Sequence, residues 1–329
     1  MKIAFTSCCD PWNDPIQAAW KHLAAKNPEV LILLGDNMYM DYGLGSNPLR
    51  NSEPRKLPIA DFSIHMHKNY ALQWAVPNFN AAITQIPTAY AIWDDHDFAW
   101  NNGRGAGTDS SKKFVPENHR ILSRAFFEQF RNQLIAKTPT NSYPKNPYPT
   151  GYGATNLGGI YGSFGLTGGV RLHLLDGRSF RPSFDLEQSF LGDAQRTALE
   201  MEFNTYPDAI HILASGTTLL NDWEYYTDFD WLQQQSIGRK IIVLSGDIHE
   251  PKVKEHFQVF EFTASAMAQP ASITSIAGKQ SNVFGILDID DNNIRVDIFQ
   301  LNCKTNELKI RKSAVIDINN WYLQKIRDN

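Results

Sequence analysis

Cysteine is scarce in this 329-residue chain, and so is any long apolar stretch. Three cysteines cannot build a disulfide framework, which points to a reducing compartment. No purely apolar run is longer than the five residues of Val30–Leu34, far short of a membrane span. Met1–Phe5 is too short for a secretory h-region and is interrupted by Lys2, so the expectation is a soluble, cytoplasmic protein. Neither sign of charge dominates: 31 basic against 35 acidic residues leave a net −4, with no basic excess to attract nucleic acid or an anionic membrane. Repeats and low-complexity tracts are lacking as well. What is there is 42% apolar and 12% aromatic residues, ordinary globular composition that excludes disorder, collagen and coiled coil.

Short buried strands are predicted at Ile3–Thr6, Val30–Leu34, Ala89–Trp93, Ile210–Ala214 and Lys240–Leu244, with a hairpin over Ile160–Phe164 and Val170–Leu175. Helical periods fall at Asp14–Lys26, at His67–Ile86 with a break at Pro77, and at Glu117–Lys137, Leu191–Tyr206 and Trp231–Ile237. Asp41–Asp61, Asn101–Pro116 and Thr138–Gly159 read as loops. Strands and helices that alternate in this way predict a sheet covered by helices. After Phe257 the texture changes to alternating segments at Phe284–Ile289, Ile294–Asn302 and Leu308–Ile316. They predict an antiparallel meander closed by a short helix around Trp321–Ile326. Residues 1–329 are taken as a single catalytic domain, the meander region 257–316 included.

Four strand ends run directly into residues that ligate metals: Ser7-Cys8-Cys9-Asp10, Gly35-Asp36-Asn37-Met38-Tyr39, Asp94-Asp95-His96-Asp97 and Gly246-Asp247-Ile248-His249. In open α/β sheets ligands bind beyond the carboxyl ends of strands. One aspartate after a strand is commonly a helix cap or a turn former, and paired cysteines are commonly packing. Four such ends in one chain are harder to dismiss. Three carboxylates within Asp94–Asp97 repel one another, with no Lys or Arg nearby in sequence before Arg104, so a metal cation is the natural compensator. Glycine before Asp36 and Asp247 allows a sharp turn and a close approach to a ligand. A carboxylate shared by two metals is typical of phosphate-ester hydrolysis.

Gly35-Asp36-x-x-Tyr39, Asp95-His96 and Gly246-Asp247-x-His249, with Ser7-Cys8 and Asn101-Asn102, resemble the alkaline phosphatase D (PhoD-like) family of the calcineurin-like metallophosphoesterases. Leu175-Asp-Gly-Arg-Ser-Phe-Arg181, Leu191-Gly-x-x-Gln195 and Phe262-Thr-Ala-Ser265 extend the resemblance to about four fifths of the chain. It implies a four-layer α/β/β/α metallophosphoesterase sandwich and hydrolysis of phosphomonoesters or phosphodiesters by a metal-activated hydroxide at a binuclear site. Carried over by position, Cys8, Asp36, Tyr39 and His249 hold one metal, and Asp36, Asp95 and Asp247 the other. His96 is the general acid, and Arg178 faces the phosphate, with Arg181 as a second candidate. Asp95 stands where many relatives have Asn, and Asp247 where many have His. The stretch Ile212–Thr218 supplies no further histidine, so the second site is all-oxygen. Thiolate, phenolate and imidazole suit Fe3+ (or Zn2+ or Mn2+) at the first site, and carboxylates suit Ca2+, Mn2+ or Mg2+ at the second. Cys9 is the alternative to Cys8. Relatives often carry an export signal and an N-terminal β-sandwich, so the chain is expected to be the catalytic domain alone. The substrate would be a small-molecule or lipid phosphate ester. A different metal-dependent hydrolase, such as an amidase, and a non-catalytic phosphate-ligand binding protein are the alternatives.

Overall fold

The computed structural model describes residues 1–44, 54–107, 111–149, 159–269 and 281–328. The three expected loops therefore lie partly outside the described residues. The strands are β1 (Lys2–Thr6), β2 (Val30–Leu34), β3 (Thr88–Ile92), β4 (Gly162–Gly165), β5 (Val170–Leu174), β6 (Ile210–Ser215), β7 (Lys240–Ser245), β8 (Lys252–His256), β9 (Val259–Thr263), β10 (Val283–Ile289), β11 (Asn293–Asn302), β12 (Glu307–Asp317) and β13 (Tyr322–Asp328). The helices are α1 (Ala19–Ala24), α2 (Ile59–Trp74), α3 (Pro77–Gln85), α4 (Asp95–Phe98), α5 (Glu117–Ala136), α6 (Asp193–Thr205) and α7 (Thr227–Ser236). Among the described residues no helix is long and apolar enough to cross a membrane.

Two mixed sheets form. The first runs β13-β12-β11-β10-β1-β2-β3 and the second β4-β5-β6-β7-β9-β8. Strands β1, β2 and β3 are parallel, and the expected meander joins them through the antiparallel β1–β10 pair. In the second sheet β5, β6, β7 and β9 are parallel. Period-two alternation sorts its side chains into layers. Ile212, Ala214, Ile242, Leu244 and Phe262 join the core shared with the first sheet. Leu213, Ile241, Val243 and Val259 pack instead with Leu199 and Phe203 of α6 and Trp231 and Leu232 of α7. Beyond the first sheet, Trp20, Trp74, Phe79 and Phe130 interlock α1, α2, α3 and α5, three pairs edge-to-face with centroids 5.1–6.1 Å apart and Phe79 stacked on Phe130 at 6.4 Å. The architecture is the expected α/β/β/α sandwich. Gly285 is required within it: it pairs with Phe5, and a Cβ there would sit 2.1 Å from the Phe5 ring.

Several expectations need correction. The Trp321–Ile326 segment is not a helix: Trp321 is a turn residue and the rest lies in β13, paired antiparallel with β12. So short a helix is marginal alone, whereas the open backbone of β12 offers a ladder. Asp317 accepts the amides of Asn319 and Asn320 (2.9 Å each) and turns the chain into that register. The Asp14–Lys26 helix is confined to α1, because Asp14 accepts the amides of Ile16 and Gln17 in a turn and Gln17 has φ +45°. Pro77 does break the His67–Ile86 period, as the first residue of α3, but α2 begins earlier, at Ile59. The β8–β9 hairpin was not foreseen: β8 is half-exposed and charged, without an apolar alternation to betray it.

Candidate metal centre

Strands β1, β2, β3 and β7 all end at one rim, and each hands over its side chains in the turn that follows. Those turns are unusual. Cys8, Asp36, Asp247 and His249 have φ between +50° and +66°, the left-handed region that L-residues seldom occupy. Such outliers persist where surrounding structure imposes them and cluster at functional sites. Gly35 also has positive φ (+89°), and its hypothetical Cβ would lie 2.6 Å from the Asp94 Cβ. A Cβ on Gly246 would lie 2.8 Å from the Leu34 carbonyl. Both glycines are thus needed for the close approach anticipated from sequence.

The Cys8 sulfur lies 3.4 Å from Asp36 Oδ2, 3.3 Å from Ser7 Oγ and 3.2 Å from Ser265 Oγ. Tyr39 OH is 3.4 Å from Asp36 Oδ2 and 3.5 Å from His249 Nε2. Ser265 also accepts the His249 amide (3.3 Å). These contacts join Cys8, Asp36, Tyr39 and His249 in one group. Cys8 packs beside Tyr39 and Ala266, whereas Cys9 points into the main apolar core. Ligand atoms of Asp36, Asp95 and His96 lie within 4.8 Å of one another. Asp247 borders this group: its carboxyl is pushed up to about 7 by burial and by the charges of Asp94 and Asp95.

The Asp94–Asp97 segment divides its labour in a way the sequence does not show. Asp97 is structural, accepting the amides of Asn37 (3.0 Å) and Asp94 at the start of α4. Asp94 is paired with Arg178, whose Nε donates to its Oδ1 at 2.6 Å. The compensating cation that seemed absent nearby in sequence therefore comes from 84 residues away. Arg178 also approaches Asp95 Oδ1 at 3.9 Å. Burial raises Asp95, but the charges of Arg178 and His96 outweigh it and hold the carboxyl well below the usual range. His96 Nδ1 lies 2.6 Å from Asp41 Oδ1. Burial opposes its charge, yet Asp41, Asp95 and Asp36 together push the imidazole well above its ordinary value.

Arg181 is spent on structure. It donates to Gly177 O (2.7 Å), Asp222 (2.6 Å) and Thr217 (3.1 Å), and its guanidinium lies against Phe190 and Tyr226. Asp41, Asp176, Gln195 and Ser265 were not singled out from sequence as site residues. Asp41 follows Asp36 by five positions and looked like the start of a loop. Asp176 accepts from Trp93 Nε1 (2.9 Å) and from the amides of Ile160, Arg178 and Ser179. Gln195 in turn accepts the Asp176 amide (2.8 Å). Both lie inside motifs already visible, and both shape the turn that presents Arg178.

The donor set fits a metal. Asp94 Oδ2 and Asp95 Oδ1 are buried without a hydrogen-bond partner, and the one guanidinium of Arg178 is shared between the two carboxylates, an arrangement that a further cation would ease. Burial, followed by the Cys8 charge, drives Asp36 well above the carboxylate range, and burial takes the Cys8 thiol to about 12. A nearby cation reverses both tendencies and deprotonates such ligands. A separate groove of about 600 Å³ between β3, β4 and α5 carries none of these groups.

The profile of PhoD-like phosphatases matches residues 3–284. The chain belongs to the PhoD-like phosphatase family. Among solved structures it is similar to one described as the structure of PhoD, with TM-score 0.70 and 18% identity over 100% of this chain and 72% of that one. More remote likenesses are to GAP50 of Plasmodium (TM-score 0.45, 9% identity, 99% and 88% of the two chains) and to Vps29 of Chaetomium thermophilum (0.39, 9%, 96% and 98%). No curated protein matches the chain. The family match and the PhoD fold agree with the resemblance drawn from the motifs.

Proposed function

We propose that the protein hydrolyses phosphate esters at a binuclear metal centre. The observation that carries this is the convergence of Cys8, Asp36, Tyr39, Asp95, His96 and His249 around buried, unpartnered carboxylate oxygens. Cys8, Tyr39 and His249, with Asp36, would hold one ion, and Asp36, Asp95 and Asp247 the second. The soft and anionic donors of the first suit ferric iron, zinc or manganese. The carboxylates of the second suit calcium, manganese or magnesium. When bound, such ions supply Lewis acidity toward the phosphoryl oxygens and activate a water as nucleophile.

The protein's own groups do the rest. Asp41 takes Nδ1 of His96, which leaves Nε2 as the nitrogen able to give a proton to the departing oxygen. Asp41 both orients the ring and favours its charged form. Asp94 takes the Nε of Arg178, which fixes the guanidinium plane and leaves its two terminal nitrogens for phosphoryl oxygens. Asn102 donates its amide to Asp95 Oδ2, restricting that carboxylate to one rotamer. Turnover of p-nitrophenyl phosphate and of bis-p-nitrophenyl phosphate by protein loaded with iron, zinc, manganese, magnesium or calcium tests the proposal. No turnover with any of them would sink it.

A further inference from the structure

A tight turn follows α4 and lies against the centre. The Gly103 amide donates to the Trp100 carbonyl at 2.6 Å, closing a β-turn with Asn101 and Asn102 in the middle. Of these two only Asn102 has positive φ (+59°), the pattern of a type II turn. The chain then folds back on itself. The Arg104 amide donates to the Lys113 carbonyl and the Val115 amide to the Arg104 carbonyl, both at 2.9 Å. Lys113 is thereby brought beside the turn. Its half-buried ammonium donates to the Asn101 carbonyl at 2.7 Å, and among the described residues no acidic side chain is paired with it.

Type II differs from the commoner type I in the orientation of the central peptide, and a flip of that one unit interconverts them. Here the central peptide is Asn101–Asn102. It is trans, so its carbonyl and its N–H point in opposite directions. The N–H donates to Asp95 Oδ2 and the carbonyl accepts from Lys113. An anion at one end and a cation at the other both favour this orientation, and each hydrogen bond polarises the other. A flip would relieve Asn102 of the left-handed region, but it would set a carbonyl against the Asp95 carboxylate and strand the ammonium. The preceding amide, of Asn101, donates to Asp41 Oδ2 (3.2 Å) and anchors the turn on its other side. With Oδ2 taken, Asp95 keeps Oδ1, buried without a hydrogen-bond partner, for a metal.

Resting on the metal-centre reading, we infer that Lys113 is a positioning residue: it holds the Asn101–Asn102 peptide in the type II orientation and so presents Asp95 to the second metal. The test is calorimetric titration of Mn2+ into briefly chelated protein, with Asp95→Asn marking the binding step that belongs to Asp95. Lys113→Met should weaken that step about tenfold, the lower end of what losing a ligand's hydrogen-bonded support costs, while far-UV circular dichroism stays native. Removing a positive charge would by itself tighten cation binding, so the sign of the change separates positioning from bare charge. Lys113→Arg keeps a cationic donor and should stay near wild type. Asn102→Gly in the Lys113→Met background should restore most of the affinity, because glycine is the residue that type II turns favour at this position. Affinity unchanged or tighter in Lys113→Met, or a loss that neither Lys113→Arg nor Asn102→Gly relieves, overturns the positioning role, while Mn2+ binding by the wild type keeps the metal-centre reading. A wild type that takes up no Mn2+, or an Asp95→Asn variant that binds it equally well, removes both.

Discussion

Arg178→Met removes the guanidinium from beside Asp94 while keeping a stem of similar reach. In the wild type the pair is a 2.6 Å charge-assisted hydrogen bond with both side chains less than 5% exposed. Breaking a buried pair from one side leaves an uncompensated charge and costs about 3–5 kcal/mol. Unfolding entropy of roughly 2.1 cal/mol/K per residue amounts to about 0.7 kcal/mol/K for 329 residues, so the metal-free variant should melt about 4–7 °C lower. Asp94→Asn alone should also destabilise, but the double variant Asp94→Asn/Arg178→Met should be less impaired than the sum of the two. A coupling of about 1.5–3 kcal/mol is expected for a charged hydrogen bond. Arg178→Lys should recover part of the stability, because a point charge can still face Asp94. It should not recover kcat/KM, because an ammonium cannot engage Asp94 and two phosphoryl oxygens in one plane. The assays are thermal melts of chelator-treated protein and steady-state kinetics of the loaded enzyme. Melting of Arg178→Met within about 1 °C of wild type, with additive single and double variants, would refute the buried-pair argument. Full activity in Arg178→Lys would refute the phosphate contact.

His96→Ala should lose about 10²–10⁴-fold in kcat with metal content retained, and the loss should shrink for esters with good leaving groups; equal losses across an aryl ester series would speak against a general acid. Asp41→Asn keeps a hydrogen-bonding shape but deletes a charge worth about 1.5–3 kcal/mol, so kcat should fall about 10–150-fold, again most on poor leaving groups. His173 and His211, buried and 2.9 Å apart, are pushed down to about 3 and about 4 by burial. The unfolded chain binds more protons than the folded one below the ordinary value of about 6.5, so their contribution is complete above that pH. It is lost as pH falls toward 4, at up to about 1.4 kcal/mol per pH unit for each ring. Melting temperature against pH checks this, and His211→Gln should make the profile shallower. Brief chelation should abolish activity that calcium or manganese restores, while the metal at Cys8, Tyr39 and His249 stays bound; elemental analysis that finds two identical metals would overturn the unequal sites.

Much of the site was legible in the sequence because a parallel sheet makes it so. Each buried strand is a recognisable apolar run, and the residue after it is delivered to the carboxyl edge whatever the rest of the chain does. Strand ends alone deliver Cys8, Asp36, Tyr39, Asp95, His96, Asp247 and His249 as candidates at one rim, and the family resemblance adds Arg178. The strands Val30–Leu34 and Lys240–Leu244 were readable for the same reason, being buried on both faces. What tertiary structure alone decided is how charges are shared between segments distant in the chain. Asp94, Asp95 and Asp97 are alike in sequence, yet one meets Arg178, one joins Asp36 and His96, and one caps α4. Cys8 and Cys9 are adjacent and chemically identical, but the chain takes a left-handed turn at Cys8, and it is the Cys8 sulfur that contacts the Asp36 carboxylate while Cys9 packs in the apolar core. The last strand was misread for a related reason: a short amphipathic segment has no strong local preference, and the open edge of β12 settles its conformation. Local pattern reports what a residue can do, while long-range packing chooses its partner, because the energy of a buried charge depends on what lies within a few ångströms and not on its neighbours along the chain.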